Sequence, residues 1–327
     1  MSKTKQCLTF ATTILLGFAA SLVFSSAAHA DEFCPLQIVR TIGGDDGEVF
    51  LHNPLSVTFA ADGTIYLLNG GDCQVMQLDD QWTELNSFGA CGEGPGEFSN
   101  PVGMVLYEDE VWVFELARIT VYDLSGEYLR TMTPGLQYGA PVVIDGQLIA
   151  RMGAGDRAAA TLDRDGLATG YLGPECPTDF FEGFKKCRNM QILPHEDGAC
   201  LMVNLVDGQA LLVGENGDPV WDRYLTRKED DSVMETSDDG ESMSMSLSLA
   251  MAMGCRDNQG RYWMVTLPED DDAQSRVSVL DGELKPVMDS FLLPEGIYSW
   301  QLACSPTGQM ILVSTNESTL YVCDVVD

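Results

Sequence analysis

Basic residues are scarce in this 327-residue sequence, which has 18 Lys and Arg against 50 Asp and Glu and a net charge of −32. Binding to phosphate backbones or to anionic membrane surfaces requires Lys and Arg that displace counterions. The charge therefore excludes nucleic acid as a general partner and excludes electrostatic binding to a membrane surface. Only three histidines occur, at 29, 52 and 195, and the two beyond residue 30 are too few for a zinc centre built on histidines.

The motifs of several enzyme classes are also missing. There is no GxSxG nucleophile elbow, no Walker phosphate loop and no GxGxxG that follows a strand and opens a helix. No CxxC pair and no Cys/His cluster has zinc spacing. Four acidic clusters, at 45–48, 229–231, 238–241 and 269–272, lack the alternating ligands and closing Glu of an EF-hand loop, and are typical of solvated surface.

The first 30 residues have the features of a secretory signal peptide. Lys3 and Lys5 precede an apolar run over 8–24, and residues 28–30 (Ala-His-Ala) supply the small side chains that signal peptidase recognises. The run is short for a membrane span, and no later apolar segment is long enough to be one. We therefore expect cleavage after Ala30, a periplasmic or extracellular protein, and no membrane span in the mature chain.

Six short polar turns, each followed by a β-rich segment, recur along the mature chain. Their second residues are at 63, 109, 146, 198, 260 and 308. Each segment is followed by another strand-like segment, and in five copies a further polar turn and a last strand come next. Because propeller blades repeat four strands at about 40–50 residues, the pattern predicts an all-β propeller with four-stranded antiparallel blades.

The two ends of the mature chain supply complementary parts of one blade. The sixth copy stops at Asp327 without a last strand, whereas residues 35–43 form a spare strand ahead of the first copy. Pairing of these two segments closes a ring and removes an open sheet edge. We therefore predict a six-bladed propeller, one domain over 31–327, closed by its N-terminal strand. The blades are expected at about 50–90, 91–134, 138–173, 187–226, 246–293 and 297–327.

Residues 92–132 resemble an NHL-type repeat, with a glycine-rich lead, Phe, Pro, a strand, a turn and two more strands. Residues 43–89 are a looser copy, in which Asn53-Pro54 matches Asn100-Pro101. The resemblance implies the superfamily of six-bladed NHL-like and TolB-like propellers. Such propellers include scaffolds, protein-binding modules, lyases and calcium-dependent lactonases, so the fold alone does not identify the function.

Nine cysteines remain after signal removal, and disulfides are the default for them in an exported protein. The start of one strand of a hairpin lies opposite the end of the next, which favours two pairs, and a third pair flanks a local excursion. Two of Cys200, Cys255 and Cys304 are expected to pair between neighbouring inner strands, leaving one free thiol. The three expected bridges are Cys73–Cys91, Cys34–Cys323 (which would fasten the ring) and Cys176–Cys187.

Propellers usually carry functional residues where the chain enters the inner strand of each blade and leaves the second strand, an end that we call the loop face. The repeat alignment places Asn53, Asn100 and Asn189 before inner strands, and Asn69, Glu115 and Asn204 at the ends of second strands. Oxygen ligands that converge on the channel mouth suit calcium, and calcium-dependent lactonases of similar fold use Glu, Asn and Asp there. The alternative interpretation is turn chemistry, since Asn tolerates turns and Asn-Pro starts strands.

Two insertions interrupt the repeat. The segment 174–186 contains three Phe and two Lys, and is interpreted as a lid, a partner-docking loop or a plug between blades. The segment 227–246 is acidic and rich in Ser and Met. Its Met243 and Met245 suit a soft metal, but the alternation of apolar residues over 247–253 is typical of an inner strand.

These observations favour an exported, monomeric, non-catalytic module that binds a protein, peptide or glycan on its loop face. The absence of a recognisable catalytic constellation is the reason. The alternative is a divalent-metal-dependent hydrolase or lactonase with a cation at the channel mouth. Glu115, Asn69 and Asn204 would then be the candidate metal ligands, and calcium the only cofactor that the sequence indicates.

Overall fold

The computed structural model describes residues 36–44, 49–226, 233–236, 243–246, 249–267, 274–294, 297, 301–314 and 317–326. Six four-stranded antiparallel sheets form the blades of a β-propeller, which confirms the predicted fold class. The predicted signal peptide and its cleavage site lie outside the described residues. No helix among those residues is long and apolar enough to cross a membrane.

Strands are numbered in chain order, with the inner strand of each blade given first. Blade one contains β2 (Pro54–Phe59), β3 (Ile65–Asn69), β4 (Gln74–Leu78) and β5 (Glu84–Phe88); blade two contains β6 (Pro101–Tyr107), β7 (Glu110–Glu115), β8 (Ile119–Asp123) and β9 (Tyr128–Met132). Blade three contains β10 (Tyr138–Ile144), β11 (Gln147–Met152), β12 (Arg157–Leu162) and β13 (Ala168–Glu175); blade four contains β14 (Met190–Pro194), β15 (Cys200–Asn204), β16 (Gln209–Val213) and β17 (Pro219–Tyr224). A hairpin follows, β18 (Val233–Thr236) with β19 (Met243–Ser246). Blade five contains β20 (Cys255–Arg256), β21 (Tyr262–Thr266), β22 (Arg276–Leu280) and β23 (Phe291–Leu292).

The last blade is completed by the N-terminal strand, as predicted. It contains β24 (Gln301–Cys304), β25 (Met310–Ser314) and β26 (Thr319–Val325), and β1 (Leu36–Gly43) lies at its outer edge. The register of β1 on β26 runs antiparallel from the pair Leu36–Val325 to the pair Gly43–Thr319. Main-chain hydrogen bonds between the two ends of the chain therefore close the ring.

The turns between first and second strands have a left-handed backbone conformation at their second residue. All six second positions, at 63, 109, 146, 198, 260 and 308, have φ between 62° and 94°. Five are glycine, for which this region carries no steric penalty, and the sixth is Asp109. In blades two and three the turn has two residues, both with positive φ, which matches the twist of a tight hairpin.

The turns between third and fourth strands share one arrangement of hydrogen bonds. Their first residue is an aspartate in four blades, and its carboxylate accepts hydrogen bonds from the amides two and four residues later; these are Asp79, Asp123, Asp163 and Asp281. In blade five the positive φ belongs to Leu284 (56°) and not to Gly282. In blade one it belongs to Trp82 (59°), because the fourth residue of this turn takes the left-handed conformation whatever its side chain.

The hydrophobic core lies between neighbouring blades. Second strands are almost fully buried because both of their faces pack against other blades, and they read as continuous apolar segments. Trp112 is fully buried, and its Nε1 donates to Glu110, which also receives a two-point hydrogen bond from Arg130. A buried tryptophan can therefore be accommodated without an unsatisfied donor.

The two insertions differ from one another in structure. Within the first, residues Phe180–Gly183 form a single helical turn (α1) that continues as a short π-helical turn to Arg188. In the second, the hairpin of β18 and β19 precedes blade five. The inner strand of that blade is only Cys255–Arg256, whereas Met251 and Met253 form single bridges; Leu247 lies outside the described residues.

Candidate functional site: the loop face and the channel mouth

The register places the predicted site residues at one end of their blades. Asn69, Glu115 and Asn204 lie opposite the first residues of their inner strands, Pro54, Pro101 and Met190. Their exposed fractions are 1%, 7% and 0%. A buried polar side chain needs partners, and in each case those partners are atoms of the adjoining loops.

Glu115 is held by both of its carboxylate oxygens. Oε1 accepts from the amide of Ser99 at 2.8 Å and from the amide of Asn100 at 3.3 Å, and Oε2 accepts from Nε of Arg118 at 2.5 Å. Nη2 of Arg118 continues to the carbonyl of Gly92 at 3.0 Å. Burial raises the pKa of Glu115, but the hydrogen bonds from Arg118, Ser99 and Asn100 outweigh it, so the net pKa is lowered.

Asn69 performs the same task in blade one. Its Oδ1 accepts from the amide of His52 at 2.7 Å, and its Nδ2 donates to Asp72 at 2.9 Å. The loop that follows Asn69 bonds the same segment, because the amide of Gly71 donates to the carbonyl of His52 at 2.7 Å. The side chain thus joins the loop before the inner strand to the loop after the second strand.

Asn204 anchors the first insertion in blade four. Its Nδ2 donates to the carbonyls of Lys185 and Lys186 at 2.8 and 3.1 Å, and its Oδ1 accepts from the amide of Val206 at 2.9 Å. The end of the helical insertion is therefore tied to a buried amide. This contact makes the insertion a fixed part of the loop face.

The other three asparagines lie on the same loops with different surroundings. Asn53 and Asn100 are exposed, and Asn189 is buried. Asn53 has a φ of 54°, and its carbonyl accepts from the amide of Gly70 at 3.1 Å. The carbonyl of Asn189 accepts from the amide of Leu205 at 3.0 Å. These backbone contacts are those of residues at loop–strand junctions.

The described contacts of the three metal candidates are each made within their own blade and its adjoining loops. Glu115, Asn69 and Asn204 each bond loops that flank their own blade, and both oxygens of Glu115 are occupied by donors. Within the ranges that the structure describes, no group of three or more His, Cys, Asp or Glu has a metal-binding arrangement. The calcium site remains a prediction from sequence.

Two disulfides hold loops of the same face. The structure brings together Cys73 with Cys91 and Cys176 with Cys187, at Cα separations of 5.0 and 5.7 Å. The expected Cys34–Cys323 bridge involves Cys34, which lies outside the described residues. A third disulfide, Cys255–Cys304, joins the inner strands of blades five and six.

Cys200 is a buried free thiol in the second strand of blade four. Burial raises its pKa to about 12, so the reactive thiolate is scarce at neutral pH. No described contact gives it a basic neighbour that would activate it.

The two described histidines lie at opposite ends of the ring. His52 is exposed on the loop face, with Nδ1 3.3 Å from Oδ1 of Asp72. His195 follows the inner strand of blade four at the other end, stacked on Tyr262 with Nδ1 2.6 Å from the phenol oxygen. A pair of histidines acting at one site is therefore not formed.

The sequence interpretation missed Arg151, in the second strand of blade three. Its side chain is partly exposed, and it makes no hydrogen bond or ion pair in the described structure. Burial lowers its pKa. One signal was available: among the six second strands, Arg151 is the only charged residue that is neither the first nor the last of its strand.

Cavities lie both in the channel and on the opposite face. A channel cavity of about 80 Å³ is lined by inner-strand residues that include Val102, Pro141 and Gln191. Grooves of about 310 and 370 Å³ flank the blade-one turn at the opposite end, and both include Phe59 and Asp62. The face opposite the loop face is therefore also concave, and a test of binding at the loop face needs a control variant on this opposite face.

No protein-family model matches the sequence, and no curated protein matches it. Solved structures do share the fold. A putative exported protein from Bacteroides fragilis has a TM-score of 0.60 at 11% identity, covering 89% of this chain and 96% of its own. Virginiamycin B lyase from Staphylococcus aureus has a TM-score of 0.57 at 10% identity, with coverage of 89% and 100%. The PQQ-bound aldose sugar dehydrogenase from Streptomyces coelicolor has a TM-score of 0.54 at 14% identity, with coverage of 88% and 97%. At these identities the likeness extends to the fold alone.

Proposed function

We propose that the mature chain is an exported ligand-binding propeller that recognises a protein, peptide or glycan on its loop face. The observation that carries the proposal is the fixing of that face by buried side chains. Asn69, Glu115 and Asn204 each tie down adjoining loops, and two disulfides lie in the same set of loops. Loops that are ordered before binding lose less conformational entropy when a ligand binds.

Exposed apolar side chains on these fixed loops supply contact area. Phe50 precedes the inner strand of blade one and is 75% exposed, and Leu116 follows the second strand of blade two and is 52% exposed. The carbonyl of Phe50 lies 3.5 Å from Nδ2 of Asn69, the same amide that binds the neighbouring loop. Apolar residues on ordered backbone are the usual anchors of a binding surface.

The cysteines and the N-terminal sequence support the proposed compartment. Three disulfides are stable in an oxidising environment and are rare in the cytosol. The predicted signal peptide and the likeness to an exported protein of the same fold support a periplasmic or extracellular location. We do not propose the metal-dependent hydrolase, because both oxygens of Glu115 already accept hydrogen bonds that fix adjoining loops.

The proposal is tested by probing glycan and peptide arrays with the labelled mature protein. A double variant, Phe50→Ser with Leu116→Ser, removes the exposed apolar contacts of the loop face. A matched control, Leu167→Ser with Val220→Ser, removes apolar side chains that are 49% and 63% exposed near the opposite end of blades three and four. We expect the loop-face variant to lose the signals of the wild type and the control to keep them. Signals that survive in the loop-face variant and vanish in the control would contradict the proposal.

A further inference from the structure

Arg151 lies directly opposite Gly139 in the register of β11 on β10. A Cβ atom added to Gly139 would lie 3.1 Å from Nη2 of Arg151 and 3.6 Å from Cγ2 of Val102. The backbone of Gly139 does not have positive φ, so the position does not need glycine for its conformation. The absence of a side chain instead leaves room for the guanidinium to extend across the inner strand.

Two neighbours of Gly139 line the central channel. Val102, whose Cγ2 lies 3.6 Å from the position that a Gly139 Cβ would occupy, lines the channel cavity, as does Pro141 two residues after Gly139. The cavity, of about 80 Å³, is larger than the space that one water molecule needs. Arg151 therefore lies close to residues that line this cavity.

The charge of Arg151 has no counterion in the described structure, although the sequence contains 50 acidic residues. Other arginines of the chain, such as Arg118 and Arg130, form ion pairs with glutamates. A partly buried cation without a partner loses hydration that nothing replaces, and proteins normally pair such charges. Three further arginines lack ion pairs in the described structure but donate to carbonyl oxygens, namely Arg40, Arg157 and Arg223. Arg151 differs from them in making no side-chain hydrogen bond in the described structure, which indicates a position kept for a partner that is not part of the chain.

A second arginine without an ion pair contacts the loop that follows the strand of Arg151. Arg188 is 7% exposed, and its Nη2 donates to the carbonyl of Gly155 at 3.1 Å. Gly155 belongs to the loop that begins two residues after Arg151. The Nε of Arg188 has no hydrogen-bond partner, and no carboxylate of the described residues forms an ion pair with its guanidinium.

We propose that Arg151, with Arg188 as a second positive charge, binds the oxyanion of a small ligand or ligand terminus at the mouth of the channel. This inference rests on the proposed ligand-binding function and names the chemistry that the site recognises. A guanidinium with free donors matches a carboxylate or a phosphate group in charge and in geometry. A carboxylate and a phosphate group would bind through the same contacts, and a comparison of acetate with phosphate distinguishes them.

The test measures thermal unfolding of the mature protein in sodium acetate or in sodium phosphate, with chloride added to keep the ionic strength constant. We expect at least one anion to raise the Tm with a saturable dose dependence. Arg151→Gln should raise the dissociation constant of that anion about tenfold or more, because charge-assisted hydrogen bonds are lost. Gly139→Ala keeps the charge but displaces the guanidinium, and should weaken binding as well. Arg164→Gln, an exposed arginine of the same blade paired with Glu108, should leave binding unchanged.

The inference is overturned if neither anion raises the Tm above that of the chloride control, or if both Gly139→Ala and Arg151→Gln bind as the wild type does. Should Arg151→Gln fail to fold, the Gly139→Ala result decides alone. Array ligands that need Phe50 and Leu116 but not Arg151 would overturn the oxyanion site and leave the proposed function intact. Array ligands that are indifferent to Phe50 and Leu116 would remove the proposed function instead.

Discussion

Arg118 donates from Nε to Oε2 of Glu115 at 2.5 Å, and the pair lies beneath the loop that leads into blade two. The arginine extends from this carboxylate to the carbonyl of Gly92, so one ion pair holds both ends of the glycine-rich lead. The residue that the sequence indicates as a metal ligand is thereby engaged in fixing a loop. This difference in role leads to the first prediction.

Glu115→Gln should lower the free energy of unfolding by about 1–3 kcal/mol at neutral pH, because the partly buried Arg118 loses its counterion and charge-assisted hydrogen bonds are weakened. Denaturant titration of the variant measures the loss. Glu108→Gln, which breaks an exposed ion pair with Arg164, should change stability by less than about 0.5 kcal/mol. Equal effects of the two substitutions would show that Glu115 does not act as an anchor.

Asn204→Ala should expose the helical insertion to trypsin. The side chain holds the carbonyls of Lys185 and Lys186, the residues after which trypsin cleaves, and its removal leaves both carbonyls without their donor. We expect cleavage at these bonds to be about tenfold faster, followed on reducing gels because Cys176–Cys187 joins the fragments. Asn216→Ala, in an exposed turn of the same blade, serves as the control. Unchanged cleavage at 185 and 186 would contradict the assignment.

His195 should make the fold less stable in mild acid. Burial and then the charge of Arg256 lower its pKa below the ordinary value of 6.5. The unfolded state therefore binds a proton more readily, so the stabilisation is complete above pH 6.5 and is lost as the pH falls from 6.5 toward the folded-state pKa. Denaturant titrations at pH 7.5 and 5.5 should show a smaller decrease for His195→Gln than for the wild type. An identical decrease would mean that His195 does not contribute.

Cys200 should resist alkylation in the native protein. Its thiol is 2% exposed and its pKa is raised to about 12, so neither access nor thiolate is available. Treatment with iodoacetamide followed by peptide mapping should leave the Cys200 peptide unmodified without denaturant and modified above the unfolding transition. Modification under native conditions would show that blade four opens locally around β15.

The sequence predicted the blades because the determinants of their turns are local. A glycine or aspartate at positive φ and the apolar segment after it are both visible in the order of residues, and 63, 146 and 198 show this directly. Leu284 and Trp82 could not be recognised as left-handed residues, because their conformation follows from the turn that the preceding aspartate organises.

The repeat predicted where the candidate residues lie in their blades, but it did not predict what their side chains contact. Asn69, Glu115 and Asn204 emerged as equivalent positions from the repeat, whereas their partners are backbone atoms of loops whose paths no sequence pattern shows. Arg151 depends on the register that sets it opposite Gly139. It could be noticed as a charge within an apolar segment, but its lack of a partner becomes evident only in three dimensions.

The most direct test of the account compares the unfolding free energies of the wild type and Arg151→Met without added anion. An unpartnered, partly buried cation kept for a ligand destabilises the empty protein, so an unbranched apolar side chain of similar length should raise the unfolding free energy by about 1 kcal/mol. Saturating phosphate or acetate should then reduce this difference in unfolding free energy, because the anion stabilises only the wild type. A variant that is less stable than the wild type, with a difference that does not respond to either anion, would show that Arg151 supports the fold and would contradict the account.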